Sequence, residues 1–446
     1  MDITLFVTVF QIFVFVFILL GAGLILTNRI RFIKRNILLG REAKRKSSDE
    51  WSKKNMILMA FGQKKMFDKP FIGILHFVLY VGFIIINAEV LEIILDGLTG
   101  GHRLFSYILG NAYPLFISFF EFLAFLVVAA CAVFILRRNF FHIYRLQHPD
   151  LKGWPMRDAN NILTFEIVLM FLLFTMNATD ALLQARGIEH YAHEGREPMK
   201  FFISRLFMPL YAGLSDNNLI FVERAAWWLH IIGILSFAVY VTYSKHLHIF
   251  LAFPNTYFAN PEPKGKFENM ESVTKEVKIM LGLEQDNGTQ TADPVRFGAK
   301  DVQDLTWKNL MDAYSCTECG RCTEQCPANQ TGKKLSPRKI MMATRDRMED
   351  LGEGLDTLGD KFNDGKTLLD DYITREELNA CTSCNACVEA CPVNINPLDI
   401  IMQMRRYVAM EEAAVPDAWK SMLTNVQNNA SPWPFSQEDR FKWANE

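Results

Sequence analysis

The chain has 446 residues, half of them apolar and 36 of them Phe, and carries a net charge of −2. That length makes two domains the default expectation, and the near balance of charge speaks against nucleic-acid binding. The apolar residues crowd into the part before residue 253, so composition already divides the chain.

Five stretches in that part, about 3–27, 71–95, 114–136, 161–184 and 225–251, are each long enough to span a bilayer, which takes roughly 20 apolar residues. Buried helices of a large soluble protein need neither that length nor the near absence of charge in the first stretch. The first stretch also lacks a basic leading segment and a small-residue cleavage site, so it is expected to be retained as a span. Charge then sets the expected orientation. Loop 28–70 holds 13 Lys or Arg, loop 96–113 holds one, Arg103, and loop 137–160 holds five. By the positive-inside rule loops one and three lie in the cytoplasm, the N-terminus lies outside, and everything after residue 252 is cytoplasmic. The fourth loop, 185–224, falls outside. Its segment Phe201–Leu214 is expected along the membrane surface, and Trp227 and Trp228 in an interfacial aromatic belt.

Histidine inside a bilayer is costly and points to function, the plain alternative being a His hydrogen-bonded between helices. His76 stands near the inner end of the second stretch, His230 near the outer end of the fifth, and His246 and His248 near its inner end. On one continuous helix His230 and His248 would share a face about 27 Å apart, with His246 turned about 200° from His248. Two axial ligands of a haem must face each other from neighbouring helices at one depth. His76 and His248 meet that condition; His76 and His230 do not. Polar groups also lie inside the spans: Glu89 and Glu92 toward the outer end of the second, Glu121 in the outer half of the third, Asn177 and Asp180 toward the outer end of the fourth. Glu89 and Glu121, with His230, are the residues expected to handle quinone or its protons, the plain alternative being side chains that reach the outer interface. Glu166 and Cys131 read as structural.

Residues 253–305 read as a linker, with Pro254, Pro261 and Pro263, a short helix within 266–283 and the polar run Glu284–Asp293. Two cysteine runs follow. Cys316, Cys319, Cys322 and Cys326 precede Pro327, and Cys381, Cys384, Cys387 and Cys391 precede Pro392, each spaced C-x2-C-x2-C-x3-C-P. This is the run of a two-cluster ferredoxin, in which the fourth cysteine of each run ligates the other cluster. Cys316, Cys319, Cys322 and Cys391 are therefore expected to hold one 4Fe-4S cubane, and Cys381, Cys384, Cys387 and Cys326 the second. Zinc knots also use CxxC pairs, but rarely three cysteines in tandem with a fourth and a proline, twice over. A disulfide framework does not suit a cytoplasmic module. Around the cysteines, helices are expected over 337–351, 368–378 and 395–410, a surface loop over 352–366, and Met341, Met342, Met402 and Met404 in the core.

Several of these segments resemble known families. The fifth stretch, His230-IIGILSFAVYVTYSKHLHIF, resembles the last helix of the nitrate reductase gamma-subunit family, a dihaem cytochrome b membrane anchor. Phe71-IGILHFVLYVGF resembles the matching helix, with His76 at the inner-haem position. That family's outer-haem ligand falls where this chain has Ile86. The resemblance therefore implies one haem b on His76 and His248, with a second haem left open. His246 is the substitute ligand, and His230 is an orphan or a quinone or proton ligand. A five-span cytochrome of this kind fused to a two-cubane module is similar to the membrane Fe–S oxidoreductases related to heterodisulfide reductase, as are Asp304-LTWKNLMDAYSCTECGRCTEQCP and Ser431-PWPFSQEDRFKW. The spacer between Cys326 and Cys381 resembles the α-helical ferredoxin found in succinate dehydrogenase iron–sulfur subunits and in heterodisulfide reductase. Long members continue into a domain with paired CCG motifs, which this sequence lacks, so that domain is expected on a separate subunit.

The expectation is an all-α protein of a prokaryotic cytoplasmic membrane. Residues 1–252 would form a five-helix transmembrane haem b domain, 253–305 a linker, and 306–446 a cytoplasmic α-helical ferredoxin domain. The chain would be the electron-transfer subunit of a quinone-linked oxidoreductase, passing single electrons between membrane quinone, haem b, two 4Fe-4S clusters and a cytoplasmic partner. That partner is a CCG-domain subunit or an electron-transferring flavoprotein; a redox sensor is the remaining rival. No catalytic residue is assigned, and the direction of flow is not readable, because potentials depend on burial and hydrogen bonding.

Overall fold

Backbone in hydrocarbon must satisfy its own hydrogen bonds, so the long apolar runs become long helices. The computed structural model describes residues 3–141, 143–191, 199, 201–263, 265–285 and 296–444; most of the polar run Glu284–Asp293 lies outside them. The first part is built from α1 (Ile3–Ile37), α2 (Asp49–Met56), α3 (Pro70–Thr99), α4 (Leu104–Leu109), α5 (Tyr113–Asn139), α6 (Trp154–Ala185), α7 (Met208–Tyr211), α8 (Asp216–Val241), α9 (His248–Tyr257) and α10 (Glu271–Met280). The second holds α11 (Trp307–Tyr314), α12 (Arg321–Glu324), α13 (Pro327–Gln330), α14 (Pro337–Leu358), α15 (Arg375–Ala380), α16 (Ala386–Ala390), α17 (Pro397–Met410) and α18 (Asp417–Asn429). The fold is all-α; among the described residues the only ladder contacts are the isolated bridges of Arg41 with Thr306 and Leu369 with Ile373.

Helices α1, α3, α5, α6 and α8 are the five long and apolar enough to cross a membrane. α6 runs along α8, α5 lies between α3 and α6, and α1 packs on α3 and α8. Close approach depends on glycine: a Cβ on Gly97 of α3 would fall 2.6 Å from the Phe15 ring of α1. Trp227 is buried against Phe15, ring centroids 5.7 Å apart, so it is a packing residue rather than a member of an interfacial belt. The segment Phe201–Leu214 is only partly a surface strip. Phe201, Ile203 and Ser204 are buried, while Leu206 and Leu210 remain exposed.

The fifth apolar helix departs from expectation. It occupies Asp216–Val241, not 225–251, and His246 and His248 lie beyond its end. Ser244 is extended (φ −115°, ψ 158°), and its side chain accepts the His246 N–H to cap a short 3-10 turn. Asp158 of α6 fixes the break by accepting the Lys245 N–H (3.2 Å) and the Tyr240 hydroxyl (2.6 Å). The one-face relation of His230 and His248 is therefore lost, because no single helix carries both.

The cysteine-bearing part sits on one end of the bundle. α1 runs past residue 27 to Ile37 because its last turns have partners there. Arg29 pairs with Glu349 at 2.7 Å, and buried Asn36 donates to the Tyr314 hydroxyl (3.0 Å) and Met348 O (3.2 Å). From the α5–α6 connection, Asp150 pairs with the fully buried Arg338, which also donates to Arg145 O at 2.6 Å. Loops one and three and the chain after α8 therefore all lie on the same side as the cysteines. The boundary drawn at 305 falls inside a packed unit, since Ala299, Val302 and Leu305 are buried in the same core as Cys316 and Cys391.

Two local expectations in this unit fail for identifiable reasons. α14 continues to Leu358, well into the expected loop 352–366. Its glycines are packing sites: a Cβ on Gly352 would meet the Asn36 amide at 2.5 Å, and one on Gly354 would overlap the Phe362 ring. Leu368–Tyr372 is not a regular helix, because Asp370 takes a positive φ of 78°, and only Arg375–Ala380 is helical after it.

Candidate functional site

The two cysteine loops have the same backbone shape. Each follows a short helix whose N-terminus carries a reciprocal capping box, Thr306 with Asn309 and Thr374 with Glu377. In the first loop Glu318 and Gly320 have φ of 53° and 73°; in the second Ser383 and Asn385 have 56° and 61°. These left-handed positions curl each loop so that its thiols gather on one side. Each loop then enters a short helix, α12 or α16, and the fourth cysteine ends that helix just before the proline.

All nine cysteines are free thiols. Cys316, Cys319, Cys322 and Cys391 line one small pocket, partly open to solvent, together with Glu318, Arg321, Arg338 and Met341. Cys326 lies beside Cys381 and Cys384, and Cys387 lies beside all three. The fourth cysteine of each run is thus brought to the other run's triplet. Among the described residues no three His, Cys, Asp or Glu close tightly enough to hold a single metal ion. Thiols ringing a cavity suit a cluster with several iron corners better than a single zinc.

Backbone N–H groups point at these sulfurs. Ser383 N donates to Cys381 Sγ (3.4 Å) and Ile395 N to Cys391 Sγ (3.3 Å). Such bonds favour a negatively charged sulfur, whereas burial pushes the Cys316, Cys387 and Cys391 thiols up to about 12. Metal coordination is the ordinary way a thiol so buried becomes a thiolate. Each run buries two of its cysteines, Cys316 and Cys326 in the first and Cys387 and Cys391 in the second; the runs differ at Cys384, the one exposed cysteine.

Beside the first loop lies a histidine cluster. The His76 and His248 rings have centroids 6.5 Å apart at an interplanar angle of 38°, and the His246 ring stands 5.4 Å from that of His248. His76 Nδ1 donates to Gln63 Oε1 (3.0 Å), and His248 Nδ1 donates to Lys245 O (3.0 Å). Both rings are thereby oriented with Nε2 left over. His230 is not part of the cluster; it is buried in α8 and bonded to Leu169 O at 3.0 Å.

At the opposite end of the bundle is a buried polar network that loop-level sequence reading did not anticipate. Arg103, noted in the sequence only as a lone charge, donates to Asp180 (3.0 Å) and Asn177 (2.5 Å), and its backbone N–H is held by Asp96 (2.9 Å). His102 meets Asp180 at 3.1 Å, and Tyr113 donates to Glu92 at 2.8 Å. Glu121 is fully committed, accepting from Asn177 (3.0 Å), Ile203 N (3.0 Å) and the Ser204 hydroxyl. Glu89 is different: it is 2 % exposed, and among the described residues neither of its carboxylate oxygens has a hydrogen-bond partner.

A fold of this kind, five apolar helices followed by two interleaved cysteine groups, defines a membrane iron–sulfur protein that transfers electrons. Comparison with known proteins agrees. The 4Fe-4S dicluster domain family matches residues 315–395. The chain is 28% identical over 415 residues to the probable iron-sulfur-binding oxidoreductase FadF of Bacillus subtilis, covering 86% of this chain and 54% of that protein. It is 25% identical over 412 residues to the EtfAB:quinone oxidoreductase of Syntrophomonas wolfei, covering 87% of this chain and 53% of that one. A shorter match, 25% over 147 residues, is to one polypeptide of the dihydromethanophenazine:CoB–CoM heterodisulfide reductase of Methanosarcina acetivorans, covering 32% of this chain and 35% of that polypeptide. The chain is thus an iron–sulfur oxidoreductase homologue related to heterodisulfide reductase, and it spans about half the length of the first two relatives. No solved structure matches it.

Proposed function

We propose that this chain is the membrane-bound wire of a quinone-linked oxidoreductase, carrying single electrons between quinone, one haem b, two 4Fe-4S clusters and a redox partner. Cys316, Cys319, Cys322 and Cys391 hold the first cluster, and Cys381, Cys384, Cys387 and Cys326 the second. The observation that carries the haem is the His76–His248 pair. With metal–nitrogen bonds of about 2 Å, two imidazoles on one iron have ring centres on the order of 6 Å apart. The observed 6.5 Å suits that, and each Nδ1 is already bonded in the way that orients a metal-binding imidazole. When bound, the haem supplies one-electron chemistry; the chain's residues orient it and set its surroundings.

Within the outer network Glu89 is the carboxylate left free among the described residues to take a proton from a quinol, whereas Glu121 is engaged by Asn177 and Ile203 N; His230, bonded through Nδ1 to Leu169 O, keeps Nε2 for the same role. The cysteine-bearing unit faces the cytoplasm, a reading supported by the 13 basic residues of loop 28–70, which lies on its side of the bundle. The partner is a redox module with CCG motifs; the similarity to a protein named EtfAB:quinone oxidoreductase favours, as a second reading, an electron-transferring flavoprotein.

The test is a reduced-minus-oxidised spectrum of the detergent-purified chain, with pyridine haemochrome and iron measured on the same sample. One b haem and about eight further irons are expected. Absence of haem with the irons intact would remove the haem and leave a membrane-anchored ferredoxin. Oxidation of reduced flavin coupled to quinone reduction in the presence of an electron-transferring flavoprotein would select the second partner.

A further inference from the structure

The histidine turn and the first cysteine loop are tied by a buried ion pair. Lys245 Nζ donates to Glu318 Oε2 and to Pro155 O (2.6 Å), and Arg345 Nη2 donates to Glu318 Oε1 (2.7 Å). Lys245 and Glu318 are 9 % and 5 % exposed. The same lysine offers its carbonyl to His248 Nδ1, and the same glutamate stands in the first cysteine loop two residues after Cys316 and next to Cys319. A continuous path of covalent and hydrogen bonds thus runs from the His248 ring through Lys245 and Glu318 to a cysteine of the first group.

Stability does not account for this arrangement. A buried ion pair is commonly matched or bettered by apolar residues of similar volume, since desolvation offsets the attraction. The loop geometry does not account for it either. The second loop makes the same left-handed turn with Ser383 at the position of Glu318. The carboxylate is therefore specific to the loop that faces the histidines.

We infer that Lys245 and Glu318 are positioning residues that fix the first cluster against the histidine turn and set its potential relative to the second. This rests on the haem reading for its electron-transfer half and is independent of it for the potential. With a haem held by His76 and His248, single electrons would pass between it and the first cluster in either direction, with no bond made or broken and no proton required. Quinol is the reductant for inward flow and quinone the oxidant for outward flow. The cations Lys245 and Arg345 favour the reduced cluster, and the Glu318 carboxylate opposes them.

The experiment uses the full-length chain in membranes. Glu318→Gln, Lys245→Met and the charge-conserving Lys245→Arg are each titrated potentiometrically with both clusters followed by electron paramagnetic resonance. Glu318→Gln is expected to raise the first cluster's midpoint potential and Lys245→Met to lower it, with the second cluster unmoved and Lys245→Arg close to the parent. Where haem is present, rapid mixing of the reduced protein with oxidant should show slower haem–cluster equilibration in Lys245→Met. Equal shifts of both clusters, or no shift in either charge variant, would overturn the assignment. A parent protein without haem would refute the proposed haem while leaving the potential shifts as the decisive result for this contact.

Discussion

The two cysteine loops share a spacing, a capping box and a pair of left-handed residues, yet they sit in opposite surroundings. The first is roofed by the membrane part, with Lys245, Arg145 O and the Asn36–Tyr314 contact around it. The second is held mainly from within its own unit, by Arg405 bonding Leu378 O (3.0 Å), Cys381 O (2.6 Å) and Ser383 Oγ (3.2 Å), meets the membrane part only near its fourth cysteine, where Lys65 donates to Glu389 O and Asn255 to Val393 O, and leaves Cys384 exposed. Local sequence decides the turn; what packs on the turn decides how deeply each cysteine loop is enclosed. The sharpest test is to remove a thiol from each. Cys319→Ser and Cys384→Ser should each lose or convert one cluster, up to about four irons, read by iron content and paramagnetic resonance. Only the first should also loosen the seam, seen as faster proteolysis between the two parts. Two intact cluster signals in Cys319→Ser would break the comparison at its root.

The next largest effect lies where the first loop meets the histidines. His76→Ala should abolish the b-type absorbance while leaving both cluster signals. A retained haem band with altered position would transfer the ligand role to His246, whose ring already stands 5.4 Å from that of His248. At the other end of the bundle, Glu89→Gln and Glu121→Gln separate function from structure. Glu89 has no partner to lose, so its amide variant should fold as well as the parent and oxidise quinol more slowly. Glu121→Gln puts an amide donor among groups that already donate, at a cost of about 1–3 kcal/mol for each donor left unsatisfied, visible as a lower melting temperature.

Much of this was legible in the residues themselves. Five apolar runs and two cysteine runs are local signals, and local spacing is enough to specify a span or a triplet of thiols. The break after Val241 was hidden because apolar residues resume at Leu247 and Ile249–Phe253, so that Ser244-Lys245-His246 reads as a polar interruption within one helix and not as its end. The helical Gly352 and Gly354 read as loop residues because their reason is a side chain elsewhere, Asn36 and Phe362. Lys245–Glu318 and Asn36–Tyr314 join positions 73 and 278 residues apart, a pairing that no window along the chain contains. Asn36→Ala tests the weight of that long-range contact. It strips a fully buried donor from the Tyr314 hydroxyl and Met348 O, and should cost about 1–3 kcal/mol of stability, measured by denaturant titration of the detergent-solubilised protein.

The smallest effect belongs to the residue that occupies Glu318's place in the second loop. Ser383→Ala removes one acceptor from Arg405, whose guanidinium keeps Leu378 O and Cys381 O. A neutral hydrogen-bonding group lost at a half-buried site where its donor keeps other partners should change stability by less than about 1 kcal/mol. The left-handed φ of 56° remains accessible to alanine at a modest further cost, so the turn itself should survive. Both cluster potentials should then stay at their parent values, in contrast to Glu318→Gln, because no formal charge has moved. If Ser383→Ala shifted the second cluster as far as Glu318→Gln shifts the first, the sensitivity would belong to the turn and not to the charge placed on it.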